Sequence, residues 1–257
     1  MTTTSLRRTF SQIITLRWGP SLDLAVVALS WILVVGALYT ANFLIGSDVW
    51  GGMGYFLMYA LVGATLFGIG IPLYWMVVVR KRPLSDLGLT TQRLAISLGL
   101  QLVFFFIVNV PRLMDFQLPS VQQFLPLLAL ALTIGFFEAV FWRGWVQLRL
   151  EESFGVIPGI LIASVLYSLY HIGYGMPSSE MVFLFFIGLM FAAVFRLTRS
   201  VLILWPVFQP TGQLITLLND GLPLPLLAAL GFIEVLAIMF LLVWFANRYT
   251  KRKAPAR

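Results

Sequence analysis

The chain has 257 residues, of which 60% are hydrophobic and 11% are charged, against about 25% charged in an average soluble domain. This composition excludes a soluble globular protein and predicts an all-α polytopic membrane protein, because such a chain could not hide its apolar surface from water. The apolar runs lack strand alternation, and the sequence has no cysteine for disulfides or thiolate metal sites. The net charge of +7 does not indicate nucleic acid, because the basic residues lie between apolar runs.

Eight apolar runs approach the length of about 20 residues that crosses a bilayer. They lie at about 21–44, 54–79, 94–110, 121–142, 156–172, 181–197, 201–218 and 224–246. The seventh contains Pro206 and Pro210, which we expect to kink its helix. We interpret residues 1–20 as a cytosolic lead-in, 21–247 as one integral membrane domain and 248–257 as a basic cytosolic tail.

The basic residues predict how the bundle is oriented. With eight spans, 16 of the 17 Lys and Arg residues fall on one side, and only Arg112 falls on the other. Positive charge favours cytoplasmic loops. We therefore expect both termini in the cytoplasm of a bacterial or archaeal cell, with the lipid bilayer around the bundle.

The fourth span contains a single acid, Glu138, and Arg143 follows five residues later. A charged residue at the bilayer centre costs about 2.5–3.5 kcal/mol on insertion scales, so such residues are functional candidates by default. The alternative is a structural charge held by a polar neighbour. Positions five apart do not face each other on a helix, so we expect Arg143 to snorkel at the cytoplasmic end or to contact a neighbouring loop.

Three further polar residues could act with Glu138. His171, the only histidine, could share a water with it, although the charge distribution puts Glu138 in the cytoplasmic half of its span and His171 near the far end of the next. Gln209 and Gln213 share a helical face. Their amides could stabilise an oxyanion or could hold helices together.

Two other polar residues lie in spans. Asn109, beside Pro111, is typical of the end of a span. Glu234 in the last span has no partner nearby in sequence. It could pair with Arg112 across a crevice, or it could belong to an ion path.

These residues resemble the motifs of the CAAX protease and bacteriocin-processing (CPBP) family, also called the abortive-infection family. Glu138-Ala139-Val140-Phe141-Trp142-Arg143 resembles its motif Glu-Glu-x-x-x-Arg, and Tyr167-Ser168-Leu169-Tyr170-His171 resembles its aromatic-x-x-x-His motif. Gln209-Pro210-Thr211-Gly212-Gln213 stands where the family has His-x-x-x-Asn. The resemblance covers about residues 80–220 and includes the loop that ends Leu87-Gly88-Leu89.

The resemblance implies an eight-helix bundle around a polar chamber and an endopeptidase that acts on a membrane-anchored or hydrophobic protein segment. It implies that Glu138 and His171 activate water, that Arg143 is a structural clasp, and that Gln209 and Gln213 stand where the oxyanion is stabilised. Members are often called metalloproteases. Glu138 and His171 alone would hold a divalent metal such as zinc weakly, since catalytic zinc usually has three protein ligands, so this interpretation does not require a metal.

Three departures from the family pattern favour a second hypothesis. Ala139 replaces the second Glu, and Gln209 and Gln213 replace the His and the Asn. A catalytically inactive relative could instead bind hydrophobic segments as a chaperone, sensor or immunity partner. A third hypothesis is a proton-coupled transporter that uses Glu138, His171 and Glu234, but no inverted repeat supports it.

Overall fold

The computed structural model describes residues 15–44, 49–114, 119–222 and 224–253, so most of the predicted lead-in lies outside the described residues. This part of the chain is helical and contains no strand, which confirms the predicted all-α polytopic class. Its principal helices are α1 (Leu22–Leu44), α2 (Met53–Val79), α3 (Leu94–Leu113), α4 (Val121–Phe154), α5 (Val156–Tyr174), α6 (Ser178–Thr198), α7 (Phe208–Asn219) and α8 (Ala228–Lys253).

Seven of these helices are long and apolar enough to cross a membrane, and α7 is not among them because it has only 12 residues. The predicted seventh span, 201–218, begins with the short 3-10 helix Val201–Ile203 and is α-helical only from Phe208 onward. The prediction that Pro206 and Pro210 kink the helix of the seventh span is wrong. Pro206 precedes α7 and Pro210 lies in its first turn, where a helix needs no backbone N–H.

The segment before and within α7 nevertheless connects the two ends of the bundle. The Val201 N–H donates a 3.0 Å hydrogen bond to the carbonyl of Gly88, in the loop between α2 and α3. At its far end, Leu218 lines a groove with Pro119, just before α4. This segment therefore completes the eighth passage along the bundle, partly as irregular backbone, which membrane proteins tolerate where it is buried in protein.

The two described ends of the chain lie at the same end of the bundle. The Arg17 N–H donates to the carbonyl of Phe154, the last residue of α4, at 3.1 Å. Arg252, near the end of α8, lines a groove with Val77, near the end of α2. We call this end, with Arg17, Phe154, Val77 and Arg252, the basic end. That it faces the cytoplasm stays a prediction.

Helix α4 is the central element of the bundle. It has 34 residues, and 72% of the residues in its most apolar 18-residue stretch are buried inside the bundle. It extends well beyond the predicted end of the span at residue 142 because its later charges are paired: Arg149 with Glu152 at 3.0 Å and Glu151 with Arg196 at 3.0 Å. Its middle stretch, Ala139–Gln147, is π-helical, a geometry that is frequent at functional sites.

The loop between α2 and α3 packs directly on α4 at Gly144. A Cβ atom at Gly144 would lie 2.0 Å from the carbonyl oxygen of Leu87, so only glycine permits this contact. Arg149 donates to the carbonyl of Asp86 at 3.1 Å. Gly88 then ends the turn with a left-handed φ of +68°, a conformation that favours glycine.

Candidate active site

Glu138 lies in the middle of α4 and is 3% exposed. Its Oε2 accepts hydrogen bonds from the Nε2 atoms of Gln209 at 2.7 Å and Gln213 at 2.8 Å. The structure therefore brings these three predicted residues together. Because α4 continues to Phe154, Glu138 is central in its helix, and its expected position in the cytoplasmic half of the span stays a prediction.

The packing of α7 against α4 positions both glutamines. A Cβ at Gly135 of α4 would lie 2.7 Å from Cγ of Pro210, so this glycine lets the first turn of α7 approach closely. Asn109 is 1% exposed, and its Nδ2 donates to the carbonyl of Phe208 at 2.8 Å. Asn109 thus holds the start of α7. The sequence signal for this role was a polar residue inside an apolar run.

Tyr167 of α5 links the predicted site residues, and sequence reasoning did not single it out. Its hydroxyl donates to Glu138 Oε2 at a long 3.5 Å, and its backbone carbonyl lies 2.9 Å from His171 Nδ1. The guanidinium carbon of Arg143 lies 5.2 Å from the centre of its ring. The signal was present in the sequence, since Tyr167 is the aromatic residue of the aromatic-x-x-x-His motif.

His171 is buried at the end of α5 among tyrosines. A carbonyl can only accept, so Nδ1 carries the proton that bonds to Tyr167, and Nε2 of the neutral ring keeps a free lone pair. The ring centre lies 4.5 Å from that of Tyr170 and 5.6 Å from that of Tyr174. Among the described residues, no direct hydrogen bond joins His171 to Glu138. Tyr167 contacts both of them.

Arg143 does not snorkel, because α4 extends past it and neighbouring helices cover it. It is 2% exposed, and neither Nη1 nor Nη2 has a hydrogen-bond partner within the described ranges. Its contact with the Tyr167 ring is a cation–π interaction. Ala139, four residues earlier and fully buried, provides no carboxylate to pair with it.

Glu234 lies apart from this cluster, on an exposed face of α8. The alternative that it pairs with Arg112 is wrong in the part of the chain that the structure describes. Arg112 instead donates to the Thr216 hydroxyl at 3.2 Å and to the carbonyl of Gly212 at 3.5 Å, both on α7. No observation joins Glu234 to Glu138 in a proton path.

A metal centre is not formed by the residues described. No group of three or more His, Cys, Asp or Glu side chains that could hold a metal ion occurs among them. Glu138 has its Oε2 bound to two amides, and His171 has its Nδ1 bound to a carbonyl. This donor set does not fit the three protein ligands of catalytic zinc.

Residues 120–208 match the family model described as type II CAAX prenyl endopeptidase Rce1-like. The matched segment contains Glu138, Arg143, Tyr167 and His171 and ends one residue before Gln209. This family is the CPBP family, so the resemblance predicted from the motifs is confirmed. No curated protein matches the chain.

Proposed function

We propose that the protein is an intramembrane endopeptidase, from the premise that residues 120–208 match the family model of Rce1-like type II CAAX prenyl endopeptidases. Its substrate is a membrane-anchored or hydrophobic protein segment that reaches Glu138 through the bundle. The observation that carries the proposal is the Glu138 carboxylate, buried in the centre of α4 with one oxygen held by Gln209 and Gln213. An ionisable residue buried in a membrane helix is a functional candidate by default.

Glu138 acts as the general base in this proposal. Its Oε2 is occupied, while its Oε1 has no hydrogen-bond partner among the described residues and can accept a proton. A water gives that proton to Oε1 as its oxygen attacks the scissile carbonyl carbon. The carboxyl group then returns the proton to the departing amide nitrogen as the C–N bond breaks. The products are a carboxylic acid and an amine.

His171, Gln209 and Gln213 position the reactants. Nε2 of His171 can accept a hydrogen bond from the attacking water, because Nδ1 carries the ring proton. Each glutamine amide has two N–H donors and uses one on Glu138. The second N–H of each amide is available to the oxyanion that forms on the scissile carbonyl.

A catalytically inactive binding protein is the second candidate. It is favoured by the lack of a direct bond between Glu138 and His171 in the described structure, and by Ala139 beside Arg143, whose Nη1 and Nη2 have no hydrogen-bond partner in the part of the chain that the structure describes. If the protein is such a binding protein, Gln209, Gln213 and Glu138 form a structural network, and hydrophobic segments bind to the protein without being cleaved.

The test uses the purified full-length chain in liposomes with a farnesylated CAAX peptide and its unprenylated counterpart. Peptide products are measured by mass spectrometry, and binding is measured by fluorescence anisotropy. We expect cleavage that Glu138→Gln abolishes, at least about a hundredfold for the loss of a general base, with peptide binding retained. Glu234→Gln, which removes an exposed acid that is not part of the Glu138 cluster, is the matched control and should cleave normally.

Two results decide against the peptidase. Binding without cleavage of either peptide by the unmodified chain would favour the inactive binding protein. Cleavage that survives both Glu138→Gln and His171→Ala would remove these residues from the mechanism.

A further inference from the structure

An apolar groove with two arginines at its rim lies at the basic end of the bundle, between α2 and α8. Its volume is about 440 Å³, within the range of ligand pockets. The rim carries Arg248, Tyr249 and Arg252. The walls are apolar side chains from both helices, namely Leu73, Val77, Val78, Leu242, Phe245 and Ala246.

The two arginines form one cationic site. Arg248 and Arg252 are four residues apart and share a face of α8. The guanidinium carbon of Arg248 lies 4.3 Å from the centre of the Trp244 ring, which restricts its orientation at the groove. Neither arginine takes part in any of the ion pairs found within the described ranges.

The acids at this end of the bundle are already engaged by other cations. These pairs are Asp23 with Arg80 at 2.6 Å, Asp86 with Arg82 at 3.9 Å, Glu151 with Arg196 at 3.0 Å, and Glu152 with Arg149 at 3.0 Å and with Arg82 at 3.2 Å. No described carboxylate therefore neutralises Arg248 and Arg252. An anion that does so has to come from outside this part of the chain.

We propose that this groove binds one anionic phospholipid. The phosphodiester lies on Arg248 and Arg252, because guanidinium groups bind phosphate oxygens with paired hydrogen bonds. One acyl chain lies along the apolar walls of the groove, which as a whole follows α8 from Leu242 to Arg252 over about 15 Å. A basic pocket between membrane helices is the setting in which anionic headgroups bind, and this one is separate from the Glu138 site.

The combination of rim and walls identifies the occupant as a lipid. A free phosphate would contact only the two arginines and would leave the apolar walls uncovered. A zwitterionic lipid such as phosphatidylcholine would cover the walls, but its choline cation offsets the phosphate and leaves the charge of the two arginines without compensation. Only an anionic lipid both neutralises the arginines at the rim and covers the apolar walls.

The proposal is tested by native mass spectrometry of the full chain released from detergent, titrated with phosphatidylglycerol or phosphatidylcholine. We expect one tightly bound phosphatidylglycerol. The double variant Arg248→Gln/Arg252→Gln should bind it about thirtyfold more weakly, from about 1 kcal/mol for each basic residue near an anionic surface. The control Arg93→Gln/Lys251→Gln removes the same charge outside the groove and should change the affinity less than threefold.

A second variant separates the groove from the surface charge. Ala246→Trp fills the groove and keeps both arginines, so it should also weaken phosphatidylglycerol binding at least tenfold. Soluble glycerol phosphate, the probe for the headgroup alone, should not displace the lipid at equal concentration. The proposal is overturned if the control pair loses as much affinity as the groove pair, if Ala246→Trp binds normally, if phosphatidylcholine binds equally well, or if glycerol phosphate competes.

Discussion

The Gln209 side-chain amide donates a 2.7 Å hydrogen bond to the Glu138 carboxylate across the contact between α7 and α4. Gln213 repeats the contact one turn later on the same oxygen. The two residues that depart from the family's His-x-x-x-Asn pattern are thus the direct partners of the predicted base. Their exchange for glutamine keeps hydrogen-bond donors at the acid and loses an ionisable ring.

Gln209→Ala should lower the stability of the bundle more than an equivalent change elsewhere. A hydrogen bond to a charged group contributes about 1.5–3 kcal/mol, against about 0.5–1.5 kcal/mol for a neutral one. Gln101→Ala is the matched control, because the Gln101 amide is also buried but donates to the backbone carbonyl of Leu202 at 3.0 Å. Thermal unfolding in detergent compares the two. Equal losses would show that the charge on Glu138 adds nothing to this contact.

Ala139→Glu should give a more stable protein than Ala139→Gln. A glutamate at this position lies one turn before Arg143 and can pair with its unsatisfied guanidinium. The glutamine has the same size without the charge, so the difference between the two variants isolates the ion pair. Buried guanidinium donors without hydrogen-bond partners are costly, and a gain of about 1 kcal/mol would raise Tm by about 2–4 °C for a chain of this size. Identical melting temperatures would mean that Arg143 already has a counter-charge.

Gly144→Ala should loosen the loop between α2 and α3. The added methyl would meet the Leu87 carbonyl at 2.0 Å, a backbone atom that can move only with its loop. We expect a loss of about 1–3 kcal/mol from overpacking and faster tryptic cleavage after Arg80 and Lys81. Gly99→Ala on α3 is the control. An added Cβ there would have no neighbour within 4 Å among the described residues, so this change should be neutral or stabilising. Unchanged cleavage in Gly144→Ala would indicate that the loop does not depend on this contact.

Some properties of the site were predictable because they depend on local composition. An acid in an apolar run is costly wherever that run lies in a bilayer, so Glu138 was identifiable without a fold. Likewise, Gln209 and Gln213 had to share a helical face because of their spacing. The burial of Arg143 was not predictable in this way. The length of α4 depends on the ion pairs of Arg149 and Glu151, and Glu151 pairs with a residue of another helix.

The sequence by itself determined that this is an all-α membrane protein, which residues are candidates for chemistry, and which family their order resembles. These follow from hydropathy, from the helical repeat and from the cost of burying charge, all of which act over a few turns. Only the tertiary structure decided that Glu138 meets Gln209 rather than His171, and that Tyr167 lies between the two motifs. Those contacts join residues 71 and 29 positions apart. They depend on how closely two helices approach each other. Between α4 and α7 this distance is set by Pro210, which packs against the backbone of Gly135 because glycine has no side chain.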